Sequence, residues 1–245
     1  RIGDTVQIQR AGDVIPQVTS VFFSKRNKNS KQFIFPSKCL CGATTQKEVN
    51  KSTNKEDAVR RCFKGYDCDY IAREKLKHIV SKDAFNIDGF GKKVVDQFWE
   101  LNFIRKPSDI FNINYEKIEN LEGWGKLSIN NLKTAIEKSR TIELERFIFS
   151  IGIRHIGQEN AKILARFFKN IKNFCSLFNL NERRDILNDL IDLDGIGTIQ
   201  INSINLFFEN NKNTAILKGL IKNLSIKDFK IINEKGKFSN QTIMF

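Results

Sequence analysis

The spacing of apolar residues changes character along the chain. Near the start, Thr5-Val6-Gln7-Ile8-Gln9 alternates polar and apolar positions, as a strand with one buried face does. Ala11-Gly12-Asp13 supplies a turn, and Pro16 marks the following run as an edge or a bulge. Residues 1–23 therefore predict β-structure. Two strands bury too little surface to stand alone, so they read as the tail of a larger β-domain. Residues 24–31 are polar and basic, which predicts a linker or exposed loop, and residues 36–72 show little apolar period. From about residue 76 to 224 the spacing becomes helical. Val95, Phe98, Trp99 and Asn102 share one face, with only the last polar. Further stripes follow at Ile129, Leu132 and Ile136; at Leu144, Phe147, Ile148 and Ile151; and at Ala161, Leu164 and Phe168. Two more run through Ile201, Ile204 and Phe208, and through Ile216, Leu217, Leu220 and Leu224. Each predicts the core face of a packed helix.

A short glycine motif recurs just ahead of these helices. Its copies are Asp88-Gly89-Phe90-Gly91, Glu122-Gly123-Trp124-Gly125 and Asp194-Gly195-Ile196-Gly197, with a degenerate copy at Arg154-His155-Ile156-Gly157. The spacing of 34, 32 and 40 residues between copies suits a two-helix repeat. Apolar-x-Gly-apolar-Gly followed by a helix is the helix-hairpin-helix pattern. A helix that begins there turns its unpaired N–H groups and its positive dipole end outward, which makes a phosphate site. Lys92, Lys93 and Lys126 directly follow the second glycine and add charge where an anion would lie. The bland alternative is a set of tight helix–helix turns, and four copies at near-regular spacing count against it. Amide donors read phosphate and not bases, so the expected binding is independent of sequence and sensitive to salt.

Charge agrees with this picture but does not create it. The chain of 245 residues carries 41 Lys and Arg against 28 Asp and Glu, a formal net charge of +13. That balance makes a polyanion the first partner to consider. The surplus is concentrated early, since residues 1–82 hold 17 basic and 8 acidic side chains. Lysine, isoleucine and asparagine are all abundant, as an AT-rich genome would dictate, so charge alone proves little. An apolar content of 40% is enough for a core and argues against disorder. No run is apolar enough to span a membrane, and no secretion signal opens the chain.

Cys39, Cys41, Cys62 and Cys68 give C-x-C, twenty residues, then C-x5-C. Four thiolates suit a closed, structural zinc site with no open position for catalysis. Gly42 and Gly65 offer the tight turns such knuckles need, and Arg60, Arg61 and Lys64 would help to keep the thiolates ionised. Disulfides or unrelated buried thiols are the competing readings. Cys175, between Phe174 and Leu177, reads as core, and His78 as structural or surface. His155 could reach a phosphate or could be a plain turn residue.

Taken together, the chain resembles the C-terminal half of a bacterial NAD-dependent DNA ligase. Arg10-Ala11-Gly12-Asp13-Val14-Ile15-Pro16 resembles the end of that family's OB-fold. Phe35-Pro36 and Arg61-Cys62 resemble its zinc finger, and Leu144-Glu145-Arg146-Phe147 through Gly152-Ile153-Arg154 its third hairpin unit. Gly236-Lys237-Phe238 through Phe245 resembles the first strand of its BRCT domain. The family spaces its first cysteine pair C-x2-C, so one residue is missing here. The resemblance implies a mainly α fold: a tandem helix-hairpin-helix domain preceded by the tail of an OB-fold β-barrel and a four-cysteine zinc module. The implied domains are residues 1–24 (OB-fold), 25–35 (linker), 36–75 (zinc finger), 76–232 (four hairpins) and 233–245 (start of BRCT).

It also implies a three-step reaction for the whole enzyme. A lysine takes AMP from NAD, AMP passes to the 5′-phosphate of a nick, and the 3′-hydroxyl displaces it, with Mg²⁺ bound elsewhere in the enzyme. The lysine lies in a Lys-x-Asp-Gly motif that these 245 residues do not contain. The chain, which starts at Arg1 and stops within an apolar run, is therefore expected to be an internal piece that holds DNA for an upstream adenylation domain. It is expected to be inactive alone, cytoplasmic and monomeric, with Zn²⁺ on Cys39, Cys41, Cys62 and Cys68. Nicked duplex DNA would lie against Gly89, Gly91, Lys92, Lys93, Gly123, Gly125, Lys126, His155, Gly157, Gly195, Gly197 and Thr198, with Arg10 on the OB surface. The alternatives are a non-ligase DNA-binding module, alone or attached to a nuclease, and a helical scaffold whose hairpins never meet DNA.

Overall fold

The computed structural model describes residues 1–12, 14–50, 54–119 and 121–230. The stretch expected to open a BRCT domain, 233–245, lies outside the described residues. The chain divides into two compact units, Arg1–Phe63 and Lys64–Phe245.

In the first unit, β1 (Val6–Ala11) pairs antiparallel with β2 (Ile15–Val21). The strand continues through Pro16, which lies opposite Arg10, and the irregularity in the ladder falls between Gln7 and Ile8 instead. In a two-stranded ribbon each strand is an edge, so the missing N–H of Pro16 is tolerated. The basic stretch 24–31 is pinned at Arg26, whose guanidinium donates to both carboxylate oxygens of Asp4 at 2.7 and 2.6 Å and lies over the Phe23 ring. A second hairpin, β3 (Gln46–Asn50) with β4 (Lys55–Arg61), lies inside the cysteine-bearing segment.

The second unit is helical. α1 (Asp69–Val80) begins directly after Cys68, so the implied 75/76 domain boundary falls inside this helix. Then come α2 (Lys92–Glu100), α3 (Pro107–Ile110), α4 (Lys126–Ser139), the short strand β5 (Thr141–Glu143) and α5 (Leu144–Ser150). α6 (Gln158–Phe168), α7 (Ile171–Cys175), α8 (Leu180–Ile191), α9 (Thr198–Glu209) and α10 (Asn211–Ile221) complete the helices, and β6 (Ser225–Lys227) pairs parallel with β5.

The apolar stripes form the core almost position for position. Val95, Phe98, Leu132, Ile136, Phe147, Ile148, Ala161, Leu164 and Ile204 are all buried. Asn102 is the exception with a reason. It lies past the end of α2 at φ +59°, donating to the Trp99 carbonyl, while Phe103 donates back to the Phe98 carbonyl. This is a Schellman ending, in which asparagine serves as the left-handed residue that stops the helix. Phe174 links the later helices through edge-on contacts with Phe147, Phe168 and Phe208.

Candidate nucleic-acid interface and metal centre

The four glycine motifs fold to one geometry. In each, the leading apolar residue opens a β-turn closed by an N–H···O bond: Phe90 to Ile87, Trp124 to Leu121, Ile156 to Ile153 and Ile196 to Leu193, at 3.0–3.1 Å. The third turn residue has positive φ in every copy: +75° at Gly89, +85° at Gly123, +60° at His155 and +88° at Gly195. A turn with that requirement favours glycine, so His155 stands in a conformation costly for a side-chain-bearing residue. The degenerate copy is thus degenerate in sequence and not in shape. At Gly195 the constraint is doubled, because an added Cβ would lie 2.7 Å from Ile163 Cδ1.

The second glycine caps the following helix in every copy. The carbonyls of Gly91, Gly125, Gly157 and Gly197 accept from Val95, Ile129, Ala161 and Ile201. The first three amides of α2, α4, α6 and α9 then have no carbonyl partner within their own helix. Both turn positions are exposed in all four motifs, while the apolar residue between them is buried at Phe90, Ile156 and Ile196 and half-buried at Trp124. Three of the four helices carry no acidic residue in the first turn, and the exception is Glu159 of α6. Exposed amides at a positive dipole end, without a carboxylate to occupy them, form an anion-binding surface.

The hairpins are coupled in pairs. Phe98 packs against both Phe90 and Trp124, and the Trp124 indole donates to Gln97 Oε1 at 2.9 Å. Asn160, in the first turn of α6, donates to the Gly195 carbonyl at 2.7 Å. Lys92, Lys93, Lys126 and Thr198 are exposed at the first turns of their helices, as the spacing predicted. Arg10 is exposed on β1, in the other unit.

The four cysteines converge, with their sulfurs within 4.8 Å of one another. Cys41 and Cys62 Sγ stand 3.7 Å apart. Thiolates about 2.3 Å from a tetrahedral ion lie roughly 3.8 Å from each other, so four sulfurs at these distances could hold a metal ion. The short first pair closes because the Gly42 N–H donates to the Cys39 carbonyl and the Cys39 N–H to the Ala43 carbonyl, both at 2.8 Å, with Gly42 at φ +84°. The two arginines ahead of and beside Cys62 also have partners of their own. Arg60 spends its guanidinium on Thr45, at the hydroxyl and the carbonyl, and Arg61 on Asp57. These bonds tie Arg60 of β4 to the residue just ahead of β3 and Arg61 to Asp57 of its own strand. Cys68 occupies the N-cap position of α1.

His78 is structural, with its ring against Phe149 and Nε2 at 2.9 Å from the Phe149 carbonyl. Cys175 is half-buried and its burial pushes the thiol pKa up, which suits a packing residue.

A family model described as a helix-hairpin-helix motif matches residues 146–217, which contain the third and fourth hairpins. A DNA ligase from Pelagibacter ubique is 56% identical over 246 residues, covering all of this chain and 36% of that protein. The chain is a relative of bacterial DNA ligases. DNA ligases of Azorhizobium caulinodans and Rickettsia bellii are 37% and 38% identical, and each again covers the whole chain. The chain spans 36–37% of the length of these ligases, a smaller share than the half expected from its sequence. Similarity to ligases from end to end counts against the alternative of an unrelated DNA-binding module.

Proposed function

We propose that the chain is the DNA-gripping part of an NAD-dependent DNA ligase. On this reading it binds duplex DNA through the phosphates, without regard to sequence, and presents a nick to an adenylation domain of the same enzyme. The observation that carries the proposal is the fourfold recurrence of one turn that exposes a helix N-terminus. Gly91, Gly125, Gly157 and Gly197 would admit a phosphate close to the backbone. Gly89, Gly123, His155 and Gly195 would hold the turn. Lys92, Lys93 and Lys126 would add charge, and the Thr198 hydroxyl a further donor.

A structural Zn²⁺ would be held by Cys39, Cys41, Cys62 and Cys68, with no part in the chemistry. In the family's reaction NAD would supply AMP to the lysine of a Lys-x-Asp-Gly motif, with Mg²⁺ held elsewhere in the enzyme. That motif does not occur in these 245 residues, so this chain's own contribution is to bind and orient duplex. A cytoplasmic, monomeric role is part of the same proposal. Among the described residues no helix is long and apolar enough to cross a membrane.

Binding of the zinc-loaded chain to labelled duplexes of unrelated sequence tests the proposal. Equal affinities that fall with salt support it, and a flat curve at low salt refutes it. Incubation with NAD is expected to give no covalent AMP adduct on this chain, and an adduct by mass spectrometry would overturn that part.

A further inference from the structure

The four hairpins are not chemically equal. The second and fourth match each other closely, as Leu121-Glu122-Gly123-Trp124-Gly125-Lys126-Leu127-Ser128-Ile129 and Leu193-Asp194-Gly195-Ile196-Gly197-Thr198-Ile199-Gln200-Ile201. In both, the third residue of the helix reaches back to the capping glycine. The Gly125 N–H donates to Ser128 Oγ at 3.0 Å and the Gly197 N–H to Gln200 Oε1 at 3.2 Å. In both, the second residue of the helix is aliphatic and exposed, Leu127 by 75% and Ile199 by 47%. The first hairpin has Lys93 at that position and the third has Glu159.

Side-chain charge sets the first hairpin apart from the other three, since Arg154 and Glu159 cancel in the third. Lys92 and Lys93 outweigh Asp88 in the first hairpin. Lys126 and Glu122 cancel in the second, and Asp194 leaves the fourth without a net cation. A long-range electrostatic grip therefore belongs to the first hairpin. The second and fourth offer amides for a phosphate, with an aliphatic side chain beside them. Next to every backbone phosphate of a nucleic acid lies a sugar. Its face is apolar in DNA and carries a 2′-hydroxyl in RNA.

Resting on the duplex-binding reading above, we propose that Leu127 and Ile199 are the sugar-contacting residues that select DNA over RNA. Packed against deoxyribose, each buries apolar surface on both sides. Packed against ribose, each strips water from a hydroxyl and offers no hydrogen bond in return. The two hairpins would impose this selection at two places along one duplex strand or across its two strands, while Lys92 and Lys93 supply affinity without it.

The test compares the chain with the double variant Leu127→Ser, Ile199→Ser on a DNA duplex and on a DNA–RNA hybrid of the same sequence. Both positions are exposed, so the melting temperature should stay unchanged, and circular dichroism checks that the fold is kept. Wild type is expected to prefer DNA. The double variant should bind DNA roughly ten- to fiftyfold more weakly, from two lost apolar contacts. Its loss on the hybrid should be small, so its preference for DNA collapses. Its salt slope should match that of wild type, because no charge has changed. Leu127→Lys should instead steepen the slope by about 0.9, the effect of one added phosphate contact. An unchanged DNA-to-hybrid ratio in a folded double variant would refute the sugar assignment and leave the duplex reading standing. Failure of wild type to bind either duplex would remove the duplex reading itself.

Discussion

At the residue scale, the most constrained positions are the third residues of the hairpin turns. Gly195 combines φ +88° with an Ile163 methyl 2.7 Å from where a Cβ would stand. Gly195→Ala is therefore expected to destabilise the helical unit by about 1–3 kcal/mol, read as a lower melting temperature. His155 offers the opposite experiment. Its φ of +60° costs a non-glycine residue roughly 1 kcal/mol, so His155→Gly should stabilise the protein by up to that amount. A fall in stability would mean that the His155 ring contributes more than its backbone costs. Glu137 makes a pH prediction. The Arg140 guanidinium, bonded to both its oxygens at 2.7 and 2.9 Å, holds its carboxyl below the usual glutamate range. A depressed acid stabilises the fold above its unfolded pKa and loses that effect as pH falls through its folded value. NMR titration of Glu137 should give a midpoint below that of a free glutamate, and Arg140→Ala should return it.

At the element scale, some of the structure was legible in the sequence and some was not. The helical stripes identified their core faces, because burial imposes the 3.6-residue period directly. The glycine motifs identified the turns, because few residues tolerate positive φ. The β3–β4 hairpin left no such trace. Lys47, Glu48, Glu56, Asp57, Arg60 and Arg61 are charged residues in short strands, held by the Lys47–Glu56 ion pair and by the Arg60 guanidinium on Thr45, so no apolar face marks them in the sequence. The helical period is legible only from residue 76, whereas α1 already begins at Asp69, directly after Cys68, because its first turns carry mostly polar residues. The parallel pairing of β5 with β6 joins residues 84 apart, a tertiary fact no local window contains. Chelation separates these elements experimentally. Stripping metal should raise amide exchange in residues 36–68 and leave α4–α6 protected, and one zinc per chain should be found by metal analysis. Phe174→Ala, at the meeting point of Phe147, Phe168 and Phe208, should cost about 3–5 kcal/mol and melt the later helices.

At the scale of the whole molecule, charge and grip separate. The basic surplus is greatest in residues 1–82, yet the repeated turns proposed to hold phosphates lie between residues 88 and 200. Backbone amides and helix dipoles carry no formal charge, so a charge count does not register them. The central claim is that these helix ends hold phosphates, and a carboxylate placed on them tests it without disturbing the fold. Lys92→Glu, Lys126→Glu and Thr198→Glu put an acid in the first turn of α2, α4 and α9, where the dipole favours it. The combined variant should keep or raise the wild-type melting temperature. Its affinity for duplex DNA, measured by fluorescence anisotropy across a salt series, should fall at least about a hundredfold at low salt, with a shallower salt slope. A folded variant that binds duplex as tightly as wild type would contradict the account.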